Sequence, residues 1–349
     1  MTLDTLIEDL GTPGVTFRFD AYVTAIAFAA TRPLAAVALG DGALRFLQPF
    51  GSEAGGVKAH DGAILSMAVA GDDFYTGGDD GQLVRVRPGD EGAMGVLAQF
   101  KGKWIDQVAV DGAGGTLACS AGKDAFILAA EGKPLSEPRR LAHGSTVAGL
   151  ALDPKGKRLA AAHYGGVSLW WVKAESQTPM PLSWKGSHQI VTWSPKGDFL
   201  VTTMQEGALH GWRLADKAHM RMPGYPGKVK SISWLPKGRF LATSGADRIV
   251  LWPFDGKNGP MGREAGLIGP EGAAPVCFVA AHPARDLIAS GHGDGSVFLS
   301  RLQDDRSALL RRGQGAAITA LAWSHDGQHL AAGGEDGFAA LLSFEAAKT

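Results

Sequence analysis

Cysteine is nearly absent: the 349-residue chain has two, Cys119 and Cys277, each inside an apolar strand-like run. That excludes a disulfide framework and points to core cysteines in a reducing compartment. Long apolar runs are also missing. The longest, such as Ala25–Ala30 and Leu34–Leu39, are far too short to cross a bilayer. No excess of one charge exists, with 34 Lys+Arg against 35 Asp+Glu. A phosphate-gripping chain needs a basic surplus, and the local runs Lys101–Lys103, Arg139–Arg140 and Arg301–Arg312 are too sparse for one. Neither nucleic acid nor membrane is therefore expected as a partner. The first residues, Met1 to Leu10, lack the basic start and apolar core of a secretory signal, so a cytoplasmic location is expected.

Helical periodicity is scarce, while glycine is abundant at 49 residues. That pairing suits many short strands joined by tight turns. The segment Ile190-Val-Thr-Trp-Ser-Pro-Lys-Gly-Asp-Phe-Leu200 recurs as Ile232-Ser-Trp-Leu-Pro-Lys-Gly-Arg-Phe-Leu241 and as Leu321-Ala-Trp-Ser-His-Asp-Gly-Gln-His-Leu330. Leu150–Leu159 fits the same frame, with looser copies at Ile26, Leu65, Gln107 and Cys277. Anchored on the last residue of each first strand, the copies fall at Phe28, Val69, Val110, Leu152, Trp193, Trp234, Ala280 and Trp323. Their spacings are 41, 41, 42, 41, 41, 46 and 43 residues. The Gly/Pro-rich segment Asp255–Pro275 reads as the insertion behind the longest gap.

Every unit has one grammar. An apolar strand ends at the anchor, a Pro/Asp/Gly/Lys turn follows, and a second strand of small residues leads to an acidic-glycine turn. Those turns are Asp41-Gly42, Asp80-Gly81, Glu206-Gly207, Asp294-Gly295 and Asp336-Gly337. A two-residue hairpin with positive φ at both central positions is the expectation there. A third strand and a more polar fourth complete an antiparallel blade. A blade has two apolar faces that it cannot bury alone, so stacking blades about an axis is the natural solution. The expected fold is thus all-β: a propeller of four-stranded antiparallel blades, eight by the spacing, with seven the alternative count. The third unit, Gly102–Ala130, is among the least regular and the place where the count could fail. The strand at 15–19 precedes the first unit, and the last unit stops after its third strand. Residues 15–19 should therefore join the last blade and close the fold. Residues 1–14 form a tail with Leu3, Leu6, Ile7 and Leu10 at helical spacing, and 15–349 form a single propeller domain.

This grammar resembles the WD-repeat propellers over roughly residues 15–345. Trp170, Trp212 and Trp252 stand near the ends of third strands, as in that family, but the naming Trp-Asp dipeptide is missing. The opening Gly-His is hinted at by Ala59-His60, Ala142-His143 and Ser187-His188. The resemblance implies a structural network of opening His, second-strand Ser/Thr, turn Asp and third-strand Trp. Unit two offers His60, Thr76 and Asp80, with Val86 where the Trp would stand.

No catalytic motif emerges: no Gly-x-Ser-x-Gly elbow, phosphate loop, His-Glu-x-x-His or quinoprotein blade signature. No catalytic residue, cofactor or metal ligand is assigned. The expected role is a non-catalytic scaffold, monomeric by itself, that binds one or more partner proteins through a rim of loops. By the family's frame, one rim carries the acidic-glycine turns and the starts of the first strands. It presents Tyr22, Thr24, Trp104, Asp106, Thr146, Gln189, Lys228 and Lys230, with Asp79, Lys123, Tyr164, Gln205 and Glu335 beside the turns. Aromatic anchors among mixed charges suit a binding surface. Trp104, next to Lys101 and Lys103 and ahead of the buried strand, leads the set. Trp193, Trp234 and Trp323 share one repeat position and read as core between blades. The alternative is an enzyme or metal-binding propeller with its site at the channel mouth or turn rim. Its nearest candidates are His282, His325 and His329, with His163 and His292 toward the channel.

Overall fold

A computed structural model describes residues 14–49, 52–89, 93–112, 115–129, 138–174 and 178–344. The helical tail expected before residue 14 lies outside them. Among the described residues there is no α-helix, and antiparallel strands carry the chain throughout.

The chain divides into two compact units. The first takes in residues up to Gly40, Leu44–Gly56 and Tyr225 onward. It holds repeats one, six, seven and eight, each a four-stranded sheet. In repeat eight the strands Ile318–Trp323, His329–Gly334 and Phe338–Ser343 are completed by Gly14–Arg18, from the start of the chain. The N-terminal strand thus joins the last blade as expected, one residue earlier than the 15–19 read from the sequence. Val15 pairs with Leu341 and Arg18 with Phe338, and Arg18 Nη1 reaches Asp336 Oδ2 at 2.6 Å. The segment after Asp255 is not wholly an insertion, because Gly266–Ile268 within it forms the outer strand of repeat six.

The second unit comprises Asp41–Ala43 and Val57–Gly224 and holds repeats two to five. Repeat three, the one expected to be irregular, builds an ordinary sheet from Val108–Val110, Thr116–Ala121, Asp124–Ala129 and Arg139–Ala142. The irregularity falls instead on repeats four and five, which share one six-stranded sheet. Of its two long members, Arg158–Trp171 folds back on itself at Gly165 and Gly166, with Val172 N–H donating to Lys157 O at 2.9 Å, and Met180–Trp193 runs from repeat four into repeat five. Leu159 pairs with Leu152 while Leu169, on the same strand, pairs with Met180. Eight repeats therefore become seven sheets, and seven is the blade count by hydrogen-bonded sheet.

The acidic-glycine turns differ from the expected hairpin type. Their glycines have positive φ (78° at Gly81, 85° at Gly295), but none of the preceding acidic residues does. In repeat two Gly81 N–H donates to Gly78 O at 3.2 Å, and the Asp80 carboxylate accepts from Gln82 N–H at 2.9 Å. The same side-chain cap holds at Asp41, Asp294 and Asp336. An ordinary turn followed by one left-handed glycine, stapled by the Asp side chain, needs positive φ at one residue only.

Second strands carry small residues because neighbouring sheets approach there: Ala160, Ala161 and Ala162 are wholly buried. Between repeats four and five, Leu169, Leu182, Leu200 and Trp212 fill one apolar layer around Trp193. Trp193 and Trp323 each donate their indole N–H, at 3.0 Å, to a carbonyl of the preceding repeat, Ala151 and Ala280 respectively. Trp234 is less buried and packs edge-on against Phe254. The anchor tryptophans are thus core, as their shared repeat position implied.

Candidate functional site: a cleft beside Trp104

In the second unit the chain leaves the outer strand of repeat two at Phe100 and turns through Gly102 toward the first strand of repeat three. Two contacts fix its path. Phe100 N–H donates to Gly81 O at 2.8 Å, and Ile105 N–H donates to Gly78 O at 3.0 Å. Ile105 is fully buried against Gly77, where a Cβ would stand 2.5 Å from Ile105 Cγ2. In extended backbone successive side chains point to opposite faces. With Ile105 buried, Trp104 and Asp106 share the outward face. Trp104 is 62% exposed and Asp106 half-buried.

Both line a cleft of about 600 Å³ with Lys103, Lys123, Asp124, Arg140, Ala142 and His143. Asp124 is buried and held by Arg140 Nη2 at 3.0 Å and Lys103 Nζ at 3.3 Å. Burial raises its pKa, but the bonds from Arg140 and Lys103 outweigh that and hold the carboxyl below its usual range. Asp106 is displaced the other way: burial raises it and nothing compensates. His143 accepts the Trp170 indole N–H at 3.1 Å. Burial first, and the nearby His163 second, depress its pKa to about 4, so its ring is neutral at pH 7. Tyr164, 68% exposed, follows His163, and its N–H donates to Ser145 Oγ at 3.0 Å.

Of the residues expected on the rim, the structure thus gathers Trp104, Asp106 and Lys123 in one cleft; Tyr164 is outside its lining, next to His163, whose ring packs on that of His143. Asp79, with its carboxylate packed over Gly62, and Gln205, which accepts from Gln189 Nε2 at 2.7 Å, are separate from it. Tyr22, Lys228, Lys230 and Glu335 belong to the first unit. There Tyr22 lies across Gly40, while Lys230 and Glu335 both act electrostatically on Cys277. Cys277 corrects the sequence reading. It is half-buried at the start of its strand, whereas Cys119 is true core, its thiol pushed up to about 12 by burial. Lys103, Asp124 and Arg140 were not singled out as site residues. Their ion pairs join three chain segments, and only the two short basic runs hinted at them.

The family-type network is present and degenerate. In repeat two His60 Nδ1–H donates to Asp80 Oδ1 at 3.0 Å, and Thr76 Oγ1 lies 2.9 Å from Nε2. In repeat five His188 meets Thr202 Oγ1 at 2.7 Å with Trp212 beside it. In repeat six Tyr225 stands where the His would be. Its hydroxyl lies 2.7 Å from Thr243 Oγ1 and accepts the Trp252 indole N–H at 2.7 Å. Of the histidines suggested for a metal, His325 is exposed, and His282, His329, His163 and His292 are engaged elsewhere. His282 accepts from Ala284 N–H and Arg285 N–H and faces Gly327 O, and His329 pairs with Ser343. His163 bonds Tyr164 O and Ser168, and His292 bonds Ala274 O and Ser290. Among the described residues no three His, Cys, Asp or Glu side chains are grouped to hold a metal, and no helix is long and apolar enough to cross a membrane.

Repeated four-stranded antiparallel blades of this kind define a β-propeller. The model described as "WD domain, G-beta repeat" matches residues 217–252, and that described as "Anaphase-promoting complex subunit 4 WD40 domain" matches residues 279–349. Together with the blades, these matches support a WD-repeat propeller family for the chain. Among solved structures, the crystal structure of a computationally designed protein, Ika8, aligns with a TM-score of 0.73 at 16% identity, covering 96% of this chain and 100% of that one. That likeness shows the fold alone. No curated protein matches the chain.

Proposed function

We propose that the chain, acting as one propeller over residues 15–349, is a cytoplasmic, non-catalytic scaffold, monomeric by itself, that recruits protein partners through its loop rim. Proteins of this fold typically serve as interaction scaffolds. The observation that carries the reading here is Trp104. An indole 62% exposed on a backbone clamped at Phe100 and Ile105 is a rigid aromatic anchor, with little conformational entropy left to lose on binding. Tyr164, 68% exposed outside the cleft lining, is a second exposed aromatic of the same unit, and the charged walls of the cleft supply a polar rim. The test is affinity capture with the intact chain, repeated with Trp104→Ala and Tyr164→Ala. A stable partner lost with either variant is the expected result. Capture indifferent to both would refute the choice of this rim.

A further inference from the structure

The charges around the cleft are unequal in a way that indicates what fills it. In the second unit four other half-buried or buried carboxylates have charged partners or hydrogen-bond donors. Asp73 meets Arg85 and Arg87, Asp80 meets His60 and two backbone N–H groups, Asp124 meets Lys103 and Arg140, and Asp153 meets Arg158. Asp106 has no ion-pair partner among the described residues, although it is as withdrawn from water as several of these and faces the cleft. A desolvated carboxylate without a counter-charge is the costly exception in a folded protein. It stands two residues from an exposed indole on the same face of an extended segment. A carboxylate beside an aromatic face is the pairing that receives an organic cation, charge on one side and π-density on the other.

We infer that the cleft receives a basic side chain of the partner, a lysine ammonium or an arginine guanidinium, with Asp106 as its counter-charge and the Trp104 indole as its π face. This rests on the scaffold reading of the rim and names what the partner must present. Lys103 and Arg140 share the single negative charge of Asp124, and with Lys123 they leave the lining positive by one charge, so the pairing depends on Asp106 and Trp104 at close range and not on the overall field of the cleft. Lys123 is the competing attractor, for an acidic ligand. It is exposed, however, and a solvated surface charge gains little from pairing, whereas the half-buried Asp106 gains more.

The experiment uses the full chain and three fluorescein-labelled Gly/Ser peptides, identical except for a central Arg, Lys or Glu, read by fluorescence polarisation. The Arg and Lys peptides are expected to bind and the Glu peptide not to. The isosteric variant Asp106→Asn should weaken the basic peptides tenfold or more, Trp104→Ala should do the same, and Lys123→Ala should leave them unchanged or tighter. Unfolding midpoints of the variants confirm that the fold is kept. Preference for the Glu peptide, no binding of any peptide at millimolar concentration, or Arg-peptide affinity unaffected by Asp106→Asn each overturns the inference. Partner capture separates the two readings. If capture is lost in Trp104→Ala yet kept in Asp106→Asn, the basic ligand is wrong and the scaffold stands. If it is kept in both, the rim itself is wrong.

Discussion

Replacing His60 with alanine tests whether the polar network holds its blade or merely decorates it. His60 is 2% exposed and bridges two groups: Thr76, itself wholly buried, and the Asp80 carboxylate. Removing the imidazole leaves the Thr76 hydroxyl beside a void without that partner, which costs about 1–3 kcal/mol. The lost bond to a charged acceptor adds about 1.5–3 kcal/mol. Its lower end applies, because Asp80 still accepts from Gln82 N–H and Asp61 N–H. The expected total is about 2.5–4.5 kcal/mol. Thr76→Val removes one neutral bond and keeps the volume, so about 1 kcal/mol is expected. In a double-mutant cycle the pair should couple by roughly 1 kcal/mol, since the two losses share one bond. Urea unfolding, followed by fluorescence with m held common, measures all three. A His60→Ala cost below 1 kcal/mol, or a Thr76→Val cost equal to it, would refute the reasoning.

Gly77→Ala should displace the Trp104 segment, because the new Cβ meets Ile105 Cγ2 at 2.5 Å and Ile105 O at 2.6 Å. A loss of about 1–3 kcal/mol in urea, together with weakened partner capture, is expected, whereas Gly102→Ala, open around its Cβ but at φ 69°, should cost only about 1 kcal/mol. Acid should weaken the fold through buried histidines. Burial depresses His210 to about 3 and His143 to about 4, so both native rings stay neutral below pH 6.5 while the unfolded chain takes up protons. Their contribution is full above pH 6.5 and is lost as pH falls toward 4 and 3, at roughly 1 kcal/mol per pH unit for each ring. His210→Leu should flatten the stability–pH slope between pH 6 and 4 by about one such increment; an unchanged slope counts against it. Deleting residues 1–18 removes the strand Gly14–Arg18 and bares the edge of Phe338–Ser343, so size-exclusion chromatography should show self-association. Arg18→Ala alone should cost under ~1 kcal/mol, because the Arg18 side chain is 62% exposed in its pair with Asp336.

The repeat was legible because burial is periodic. The anchor must fill the gap between sheets, and Phe28, Val69, Trp193 and Trp323 do so whatever their identity. Turn chemistry was legible for the same local reason, though the Asp caps make one positive φ sufficient where two were expected. The sharing of one sheet by repeats four and five was not legible. The join lies within Met180–Trp193, whose residues up to Ser187 pair back with Tyr164–Leu169 and whose residues from His188 pair forward with Leu200–Met204. Whether pairing runs on there depends on backbone direction, which residue type does not specify. The Tyr225–Thr243–Trp252 cluster escaped for a different reason, because its phenol performs the role of an imidazole that a search for Gly-His cannot find.

The cleft shows where such reading stops and physical neighbours take over. Trp104 announces itself, since an aromatic that follows two lysines and stands ahead of a buried strand has no place in the core. Asp106 and Asp124 do not announce how they differ. Both are aspartates close to first-strand starts or turns in one repeat, and composition treats them alike. Arg140 comes from the outer strand and Lys103 from the preceding loop, and both close on Asp124. Asp106, turned to the same face as Trp104, receives neither. A charge that the fold withdraws from water and leaves uncompensated is either a loss of stability or a place for a ligand. The two accounts make opposite predictions for Asp106→Asn. If the carboxylate only carries a desolvation cost, the amide stabilises the chain and changes no binding; if it awaits a cation, the amide stabilises the free chain and weakens its complex.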